Sequence, residues 1–190
     1  DYVGLLGQVG ENGSISDLGI VGDGAISGDL SESVGVMVGR NLGVVTDCSV
    51  SRALAGGWNR TGGIVGRNDG CMFRCHARTV YASDGCLVGE NEGGISECSA
   101  EGTAVNGGGL LAGLNRGAIT NSHSTAVASE GWISDGLVTT NWGSIKTCYC
   151  DGLVSQVRCI FMNEGTITHC YSRMRSLAAD QPPVFAAANG

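Results

Sequence analysis

Acidic residues recur at one position of a pattern that repeats along this chain, and paired carboxylates can perform general acid–base chemistry. Asp17, Asp47 and Glu97 stand at this position, and Arg74 occupies it between the last two. If successive copies of the pattern stack like neighbouring β-strands, Asp17 and Asp47 lie about 5 Å apart. A polysaccharide-active enzyme is therefore one hypothesis, although no separate lysine or arginine clamp accompanies the pair and an outward acidic column is normal.

The segment Cys71–His76 carries a second chemical pattern, with three residues between two cysteines and a histidine directly after them. It is similar to a variant haem-attachment motif, in which the histidine ligates the iron. Met72 and Cys75 already belong to the repeated pattern, however, and the chain has only 3 histidines. His76 and His123 fall two copies apart, about 10 Å, which is too far to share one metal ion. We therefore expect no catalytic residues, no metal and no cofactor.

These residues belong to a repeat of about 25 residues, which is the strongest signal in the sequence. Its anchor is a glycine followed two residues later by an apolar residue, at Gly13, Gly43, Gly70, Gly93, Gly117, Gly143 and Gly165. Asparagine stands two residues before six anchors, at Asn41, Asn68, Asn91, Asn115, Asn141 and Asn163. Cysteine stands five residues after five anchors, at Cys48, Cys75, Cys98, Cys148 and Cys170, and the other two copies have Leu18 and Ser122 there.

The segments between anchors favour strands over helices. Short apolar or β-branched runs flanked by glycine are typical of short strands and tight turns, and helix-forming residues are scarce. One such coil cannot bury its own apolar face, whereas stacked coils can. We therefore predict an all-β fold, a single-stranded parallel β-solenoid (β-helix) of about seven coils over residues 1–172, followed by a C-terminal extension over residues 173–190.

The asparagine column predicts a structural ladder. Stacked asparagine side chains can hydrogen-bond along the solenoid axis, and asparagine at a turn tolerates the left-handed conformation. We also expect the glycine that follows to adopt positive φ, because glycine has no steric cost there.

The cysteine column admits two interpretations. Stacked residues have Cα atoms about 4.8 Å apart, which is close enough for a disulfide. Because Ser122 and Leu18 fill the same position, we expect mostly reduced, stacked thiols, and Cys148–Cys170 is the first choice if a stacked pair is bridged. The cysteines outside the column are better candidates for special bonds, and these are Cys71, Cys86, Cys150 and Cys159.

Two segments, Gly62–Gly70 and Gly85–Gly93, resemble the GLUG repeat of bacterial surface proteins, which include adhesin-like proteins and some IgA-cleaving metallopeptidases. The opening Tyr2–Gly7 also looks like the start of such an array. The resemblance covers roughly residues 1–172 and implies a β-solenoid on a cell surface. It carries no catalytic residues, because the metal site of those peptidases lies outside the repeat.

Composition narrows the function further. A net charge of −7 without a basic stripe argues against nucleic acid as a partner, and no apolar run is long enough for a membrane span. We expect a non-enzymatic structural or adhesive module, extracellular or on the cell surface, with surface glycans or host proteins as candidate partners. The alternatives are the polysaccharide-active enzyme and a non-catalytic region of a larger surface peptidase. Asn59, in a sequon ending at Thr61, is a candidate glycosylation site.

The two ends of the chain suggest self-association. Tyr2 and Val3 begin the first coil with no helix or charged run before them, and exposed strand edges invite further strands. At the other end, Val184 and Phe185 follow a stiff Pro182-Pro183 spacer in a tail that fits no coil. The tail either caps its own last coil or reaches the first coil of another subunit. We favour the second arrangement, a head-to-tail filament.

Overall fold

The computed structural model describes residues 1–28, 31–57, 59–104, 108–126, 135–154, 158–176 and 184–189. Over these residues the fold is all-β and all the strand pairings between repeats are parallel. Each strand pairs with the equivalent strand of the next copy of the repeat, so the chain winds as a parallel β-solenoid, as predicted. In the described part of the chain, no helix has the length and apolar character needed to span a membrane.

The strands are short, with two to seven residues each. In chain order they are β1 (Tyr2–Val3), β2 (Leu6–Val9), β3 (Ser14–Ser16), β4 (Gly19–Val21), β5 (Ala25–Gly28), β6 (Ser33–Gly35), β7 (Val38–Asn41), β8 (Val44–Thr46), β9 (Ser49–Ser51), β10 (Leu54–Gly57), β11 (Thr61–Gly62), β12 (Val65–Asn68), β13 (Cys71–Phe73), β14 (His76–Ala82), β15 (Val88–Asn91), β16 (Gly94–Ser96), β17 (Ser99–Ala104), β18 (Ala112–Asn115), β19 (Ala118–Thr120), β20 (His123–Ala126), β21 (Val138–Asn141), β22 (Ser144–Lys146), β23 (Tyr149–Val154), β24 (Arg158–Asn163), β25 (Thr166–Thr168), β26 (Tyr171–Ser176) and β27 (Val184–Asn189).

Within the described ranges these strands form four sheets, and a coil visits them in a fixed order. A three-stranded sheet (β1, β6, β11) comes first, followed by an eight-stranded sheet (β2, β7, β12, β15, β18, β21, β24, β27). A seven-stranded sheet (β3, β8, β13, β16, β19, β22, β25) comes next. A nine-stranded sheet (β4, β5, β9, β10, β14, β17, β20, β23, β26) closes the coil.

The core consists of columns of stacked apolar side chains, and three main columns lie on the eight-, seven- and nine-stranded sheets. Period-2 alternation turns one residue of each short strand inward, where it packs on its equivalent in the next coil. The buried members of the three main columns are Val38, Val65, Val88, Ala112, Val138 and Ile160; Val45, Met72, Ile95, Ile119 and Ile145; and Val50, Ala77 and Ala100. A single coil has no layer to bury these residues, so the stack itself supplies the core.

The positive φ expected at the anchor glycines is not observed. None of them has a positive φ, and neither do the asparagines of the ladder. A Cβ atom at Gly70 overlaps the carbonyl oxygen of Gly43, and one at Gly93 overlaps that of Gly70. Glycine is therefore required by the close approach of backbone to backbone between coils, and not by the left-handed conformation.

The left-handed conformation occurs instead at the position that carries the acidic residues. Asp17, Asp47, Arg74, Glu97, Asn121, Thr147 and His169 have φ between 49° and 55°. This position is the corner between the seven-stranded and the nine-stranded sheet. Asp and Asn tolerate positive φ better than most residues, which accounts for part of the acidic column without any chemistry.

The tail continues the solenoid. β26 pairs with β23, so the predicted boundary after residue 172 falls inside a strand. β27 pairs in parallel with β24, with Val184 opposite Arg158 and Asn189 opposite Asn163. The expectation that the tail fits no coil is corrected, because this apolar segment, Phe185 included, adds a strand to the last coil of its own chain.

Candidate functional site

The asparagine ladder is continuous through the described coils. The side-chain amide of Asn41 donates to the side-chain oxygen of Asn68 at 2.8 Å, and the same bond links each next pair at 2.7 to 2.8 Å. Five of its members are fully buried. The members of the ladder are Asn41, Asn68, Asn91, Asn115, Asn141 and Asn163. Each amide also donates to the carbonyl two residues on, which holds the turn after the eight-stranded sheet.

The cysteine column has a hydrogen-bonding role at the next corner. The Cys98 thiol donates to the carbonyl of Ser96 at 3.2 Å and accepts the backbone N–H of Cys75 at 3.3 Å. Ser122 makes the same two bonds with its hydroxyl, at 2.7 Å and 3.1 Å. The position therefore accepts a small side chain that both donates and accepts. All five column cysteines, Cys48, Cys75, Cys98, Cys148 and Cys170, are free, as the predicted reduced column requires, and no stacked pair is bridged, Cys148–Cys170 included.

One disulfide joins Cys150 to Cys159, which both lie outside the column. Their Cα atoms are 6.1 Å apart, and the bond crosses the buried interior between the nine-stranded and the eight-stranded sheet. The sulfur of Met174 lies 3.9 Å from the sulfur of Cys159. The prediction that special bonds occur outside the column is confirmed for this pair, whereas Cys71 and Cys86 are free thiols.

The candidate catalytic carboxylates Asp17 and Asp47 lie at the corner between the seven-stranded and the nine-stranded sheet, where the backbone has positive φ. Arg74 holds Asp47 through two hydrogen bonds of 2.6 Å, so an arginine does accompany this acidic column. These hydrogen bonds lower the pKa of the Asp47 carboxyl, which is therefore ionised at neutral pH. A general acid needs the opposite shift, toward the working pH. Asp47 is thus unsuited to donate a proton to a leaving group.

The residues of the haem-like pattern are not brought together. Cys71 is exposed on the seven-stranded sheet, while Cys75 is buried at the corner. His76 lies on the nine-stranded sheet, and its Nδ1 is 2.8 Å from the Ser99 hydroxyl. Further along the same sheet, His123 stacks on Tyr149 at 4.8 Å between ring centroids, and Tyr149 stacks on Tyr171 at 5.1 Å. The histidine column is therefore a polar and aromatic face.

A groove of about 910 Å³ lies along the eight-stranded sheet. Its floor consists of Glu90, Leu114, Thr140 and Met162, which occupy the same position in four successive strands. Since neighbouring strands are about 4.8 Å apart, this floor extends about 14 Å parallel to the solenoid axis.

An ion-pair cluster fixes one end of the groove. Glu90 is 3 % exposed, and its carboxylate binds the guanidinium groups of both Arg60 and Arg116. Arg116 also binds Glu92 at 3.1 Å, and its guanidinium carbon lies 4.6 Å from the centroid of the Trp142 ring. A buried carboxylate with two arginine partners is electrostatically compensated, so the cluster is held in one geometry.

The opposite wall of the groove is formed by the segments that lead from the nine-stranded sheet of one coil into the next coil. Gly57, Asn59, Ser83, Asp84 and Gly108 line it. The Asp84 carboxylate accepts the backbone N–H of Thr61 at 2.7 Å, and burial raises the pKa of this carboxyl. Asn59 is exposed, which is consistent with a glycosylation site.

The glycine at the end of each short apolar run allows this wall to contact the eight-stranded sheet. A Cβ atom at Gly89 overlaps the backbone of Arg60, and one at Gly113 is only 2.9 Å from the Cβ atom of Asp84. The glycine that ends each short apolar run therefore lets the neighbouring segment lie directly against the strand. The repeated pattern predicts this glycine but not its consequence, and it does not single out Glu90, Arg116 or Trp142. The available signal was the opposite charge of Glu92 and Arg116 at one position of adjacent copies.

The predicted assembly residues are placed at the two ends. Tyr2 and Val3 form β1 and pair with Ser33 and Val34 of the next coil. The Tyr2 hydroxyl accepts a hydrogen bond from Arg40 at 3.0 Å. Val184 and Phe185 belong to β27.

Comparisons of the chain with protein-family models, with curated proteins and with solved structures found no match. The resemblance to the GLUG repeat therefore depends on the motif residues alone. The geometry described above, and not a relative, is the basis for assigning a function.

Proposed function

We propose that this chain is a non-enzymatic structural and adhesive module of a cell surface or the extracellular space, a solenoid of seven coils that presents a binding groove. The observation that carries the proposal is the groove along the eight-stranded sheet, whose floor is built from equivalent residues of four stacked strands. A binding site on rigid, regularly spaced elements is suited to recognition of an extended surface ligand.

Three features support this proposal. The asparagine ladder below the groove is buried and continuous, so the strands that form the floor are held in register. The Cys150–Cys159 disulfide fits an oxidising location, because disulfides persist mainly outside the reducing cytosol. The candidate acid Asp47 is engaged by Arg74, which favours the non-enzymatic alternative over a polysaccharide-cleaving enzyme.

Self-association is not required by the proposal. The head-to-tail filament expected from the sequence used the tail as an arm to another subunit. In the structure this segment, β27, pairs with β24 of its own chain.

Adhesion is tested with beads that carry the purified full chain, which are passed under flow over surfaces coated with mucin, with cell-wall polysaccharide or with albumin. We expect retention on mucin or on polysaccharide but not on albumin. Thr140→Arg fills the groove floor and should abolish retention, whereas Thr168→Arg, on the exposed face of the seven-stranded sheet, should not. Absence of retention on both test surfaces contradicts the adhesive function, and equal retention of the two variants excludes the groove as the adhesive site.

A further inference from the structure

We infer that the groove along the eight-stranded sheet binds an uncharged, linear polysaccharide whose chain lies parallel to the solenoid axis. This inference rests on the proposed adhesive function and adds the chemical class and the orientation of the ligand. It is carried by the shape of the floor, by the Trp142–Arg116 pair and by the balance of charge in the walls.

The shape of the floor favours a linear ligand. Glu90, Leu114, Thr140 and Met162 follow one another along the axis at the strand spacing of about 4.8 Å. This row presents apolar surface from Leu114 and Met162 and a polar group from Thr140. A sugar chain likewise alternates apolar ring faces with hydroxyl groups along its length. A floor of equivalent positions that extends over four strands therefore matches an extended chain better than a compact ligand.

The Trp142–Arg116 pair provides a platform for a sugar ring. Trp142 is 42 % exposed, although its ring is held in place by the Arg116 guanidinium at 4.6 Å. Arg116 in turn is fixed by Glu90 and Glu92, so the indole is supported by a chain of charged contacts. The C–H groups on one face of a pyranose ring pack against an aromatic ring, which combines an apolar body with polar edges. A pre-ordered indole lowers the entropic cost of such a contact.

The charge balance argues against an ionic ligand. Arg60 and Arg116 both contact Glu90, and Arg116 contacts Glu92 as well, so both arginines of the groove are paired with carboxylates. The third carboxylate, Asp84, accepts the backbone N–H of Thr61. The net charge of −7 on the whole chain further disfavours a polyanion. Each guanidinium has five N–H donors, more than these ion pairs consume, and carboxylate oxygens accept several hydrogen bonds. Together with Ser83, Asn59 and Thr140, these groups suit hydroxyl-rich, uncharged sugars.

The test is affinity gel electrophoresis of the full chain in gels that contain hydroxyethylcellulose, dextran, polygalacturonate or chitosan. We expect the chain to be retarded by at least one of the two uncharged glucans, and we expect Trp142→Ala to leave any retardation by a charged polymer unchanged, because a chain of net charge −7 is attracted to chitosan without a specific site. Trp142→Ala should weaken the apparent Kd about tenfold, because it removes the aromatic platform of the site. The matched control is Tyr171→Ala, which removes an exposed aromatic residue from the nine-stranded sheet and should leave the Kd unchanged.

Three results overturn the inference. Retardation by polygalacturonate or chitosan that is stronger than by the glucans and is lost in Trp142→Ala shows that the ligand is charged. Absence of retardation in all four gels shows that it is not a polysaccharide of these classes. Equal loss of binding in the Trp142 and Tyr171 variants shows that the groove is not the site. If the beads still adhere through the groove while the uncharged glucans fail to bind, the adhesive function stands and only the ligand class is wrong.

Discussion

The central coils and the last coils differ at the corner where the chain enters the eight-stranded sheet, which we call the glycine corner. In the central coils the residue that enters the apolar run is glycine, and a Cβ atom at Gly62 lies only 2.7 Å from the backbone nitrogen of Gly89 in the next coil. In the coil that contains β21 the equivalent position is Asp135, which pairs with Gly109 of the previous coil. Its carboxylate is fully buried and binds Arg158.

The residues that replace glycine in the last coils contact the same arginine, Arg158. Phe161 replaces the second glycine of the corner and lies opposite Thr139, and the Arg158 guanidinium carbon lies 4.5 Å from the centroid of its ring. The Cys150–Cys159 disulfide lies in the same part of the molecule. The corner can therefore be closed either by contact between backbones, which requires glycine, or by a buried ion pair together with a covalent cross-link.

The largest effect is expected for Gly85→Ala, which disrupts the contact between backbones in the central coils. The added Cβ atom overlaps the carbonyl oxygen of Val88, and neither backbone can move without disturbing both neighbouring coils. We expect the free energy of unfolding to fall by about 4 kcal/mol, measured by urea denaturation. Gly94→Ala is the control, because its nearest atom is the Cys71 sulfur at 3.8 Å. Similar stability of the two variants contradicts the role given to the glycine corner.

The ladder beside that corner gives the next largest effect. Asn91→Ala removes the bond accepted from Asn68 and the bond donated to Asn115, and leaves buried polar groups without partners. We expect a loss of about 3 kcal/mol by the same measurement. Asn163 is only partly buried, so Asn163→Ala should cost about 1 kcal/mol. An equal cost at both positions is incompatible with a ladder whose central members are the most dependent on their neighbours.

The last coils should differ from the central ones in their response to pH. Burial raises the pKa of the Asp135 carboxyl to about 6, although Arg158 opposes the shift. Between the unfolded pKa near 4 and this value the folded state binds the extra proton, so this group makes stability fall as pH rises. Its contribution at pH 4 should exceed that at pH 7 by about 2 kcal/mol. The test compares thermal unfolding of Asp135→Asn and the parent chain from pH 4 to pH 7, and parallel curves refute it.

The smallest effect concerns the thiols, and it needs no mutation. The pKa of the half-buried Cys170 thiol is lowered to about 6 by its interaction with Cys148, whereas burial raises the pKa of Cys86 to about 12. Brief treatment of the folded chain with iodoacetamide should therefore label Cys170 and the exposed Cys71 first, as read by mass spectrometry. Cys86 should react only after unfolding. Early labelling of Cys86, or labelling of Cys150 and Cys159 without a reductant, contradicts the thiol assignment.

Columns of equivalent residues could be predicted from the sequence, since a repeat that stacks in register brings the same position of each copy together. The asparagine ladder and the mostly reduced cysteine column were both predicted in this way. The conformation at each position was predicted less well. Positive φ was predicted for the asparagine–glycine turn, but it occurs at the corner of Asp47. Glycine can be required either by positive φ or by close contact between two backbones, and the sequence does not distinguish these two requirements.

The sequence by itself therefore determined the parallel solenoid, its period and the identity of its columns, because these depend on the spacing of residues along the chain. Contacts between different positions of the coil were decided only by the tertiary structure. The Glu90 cluster needs Arg60, which arrives from a segment that packs against Gly89. The Cys150–Cys159 bond and the placement of β27 on β24 depend in the same way on how the chain crosses a coil or returns to it. Repetition specifies which residues stack, but the path of the connecting segments specifies which different columns meet, and that path depends on the packing of the whole coil.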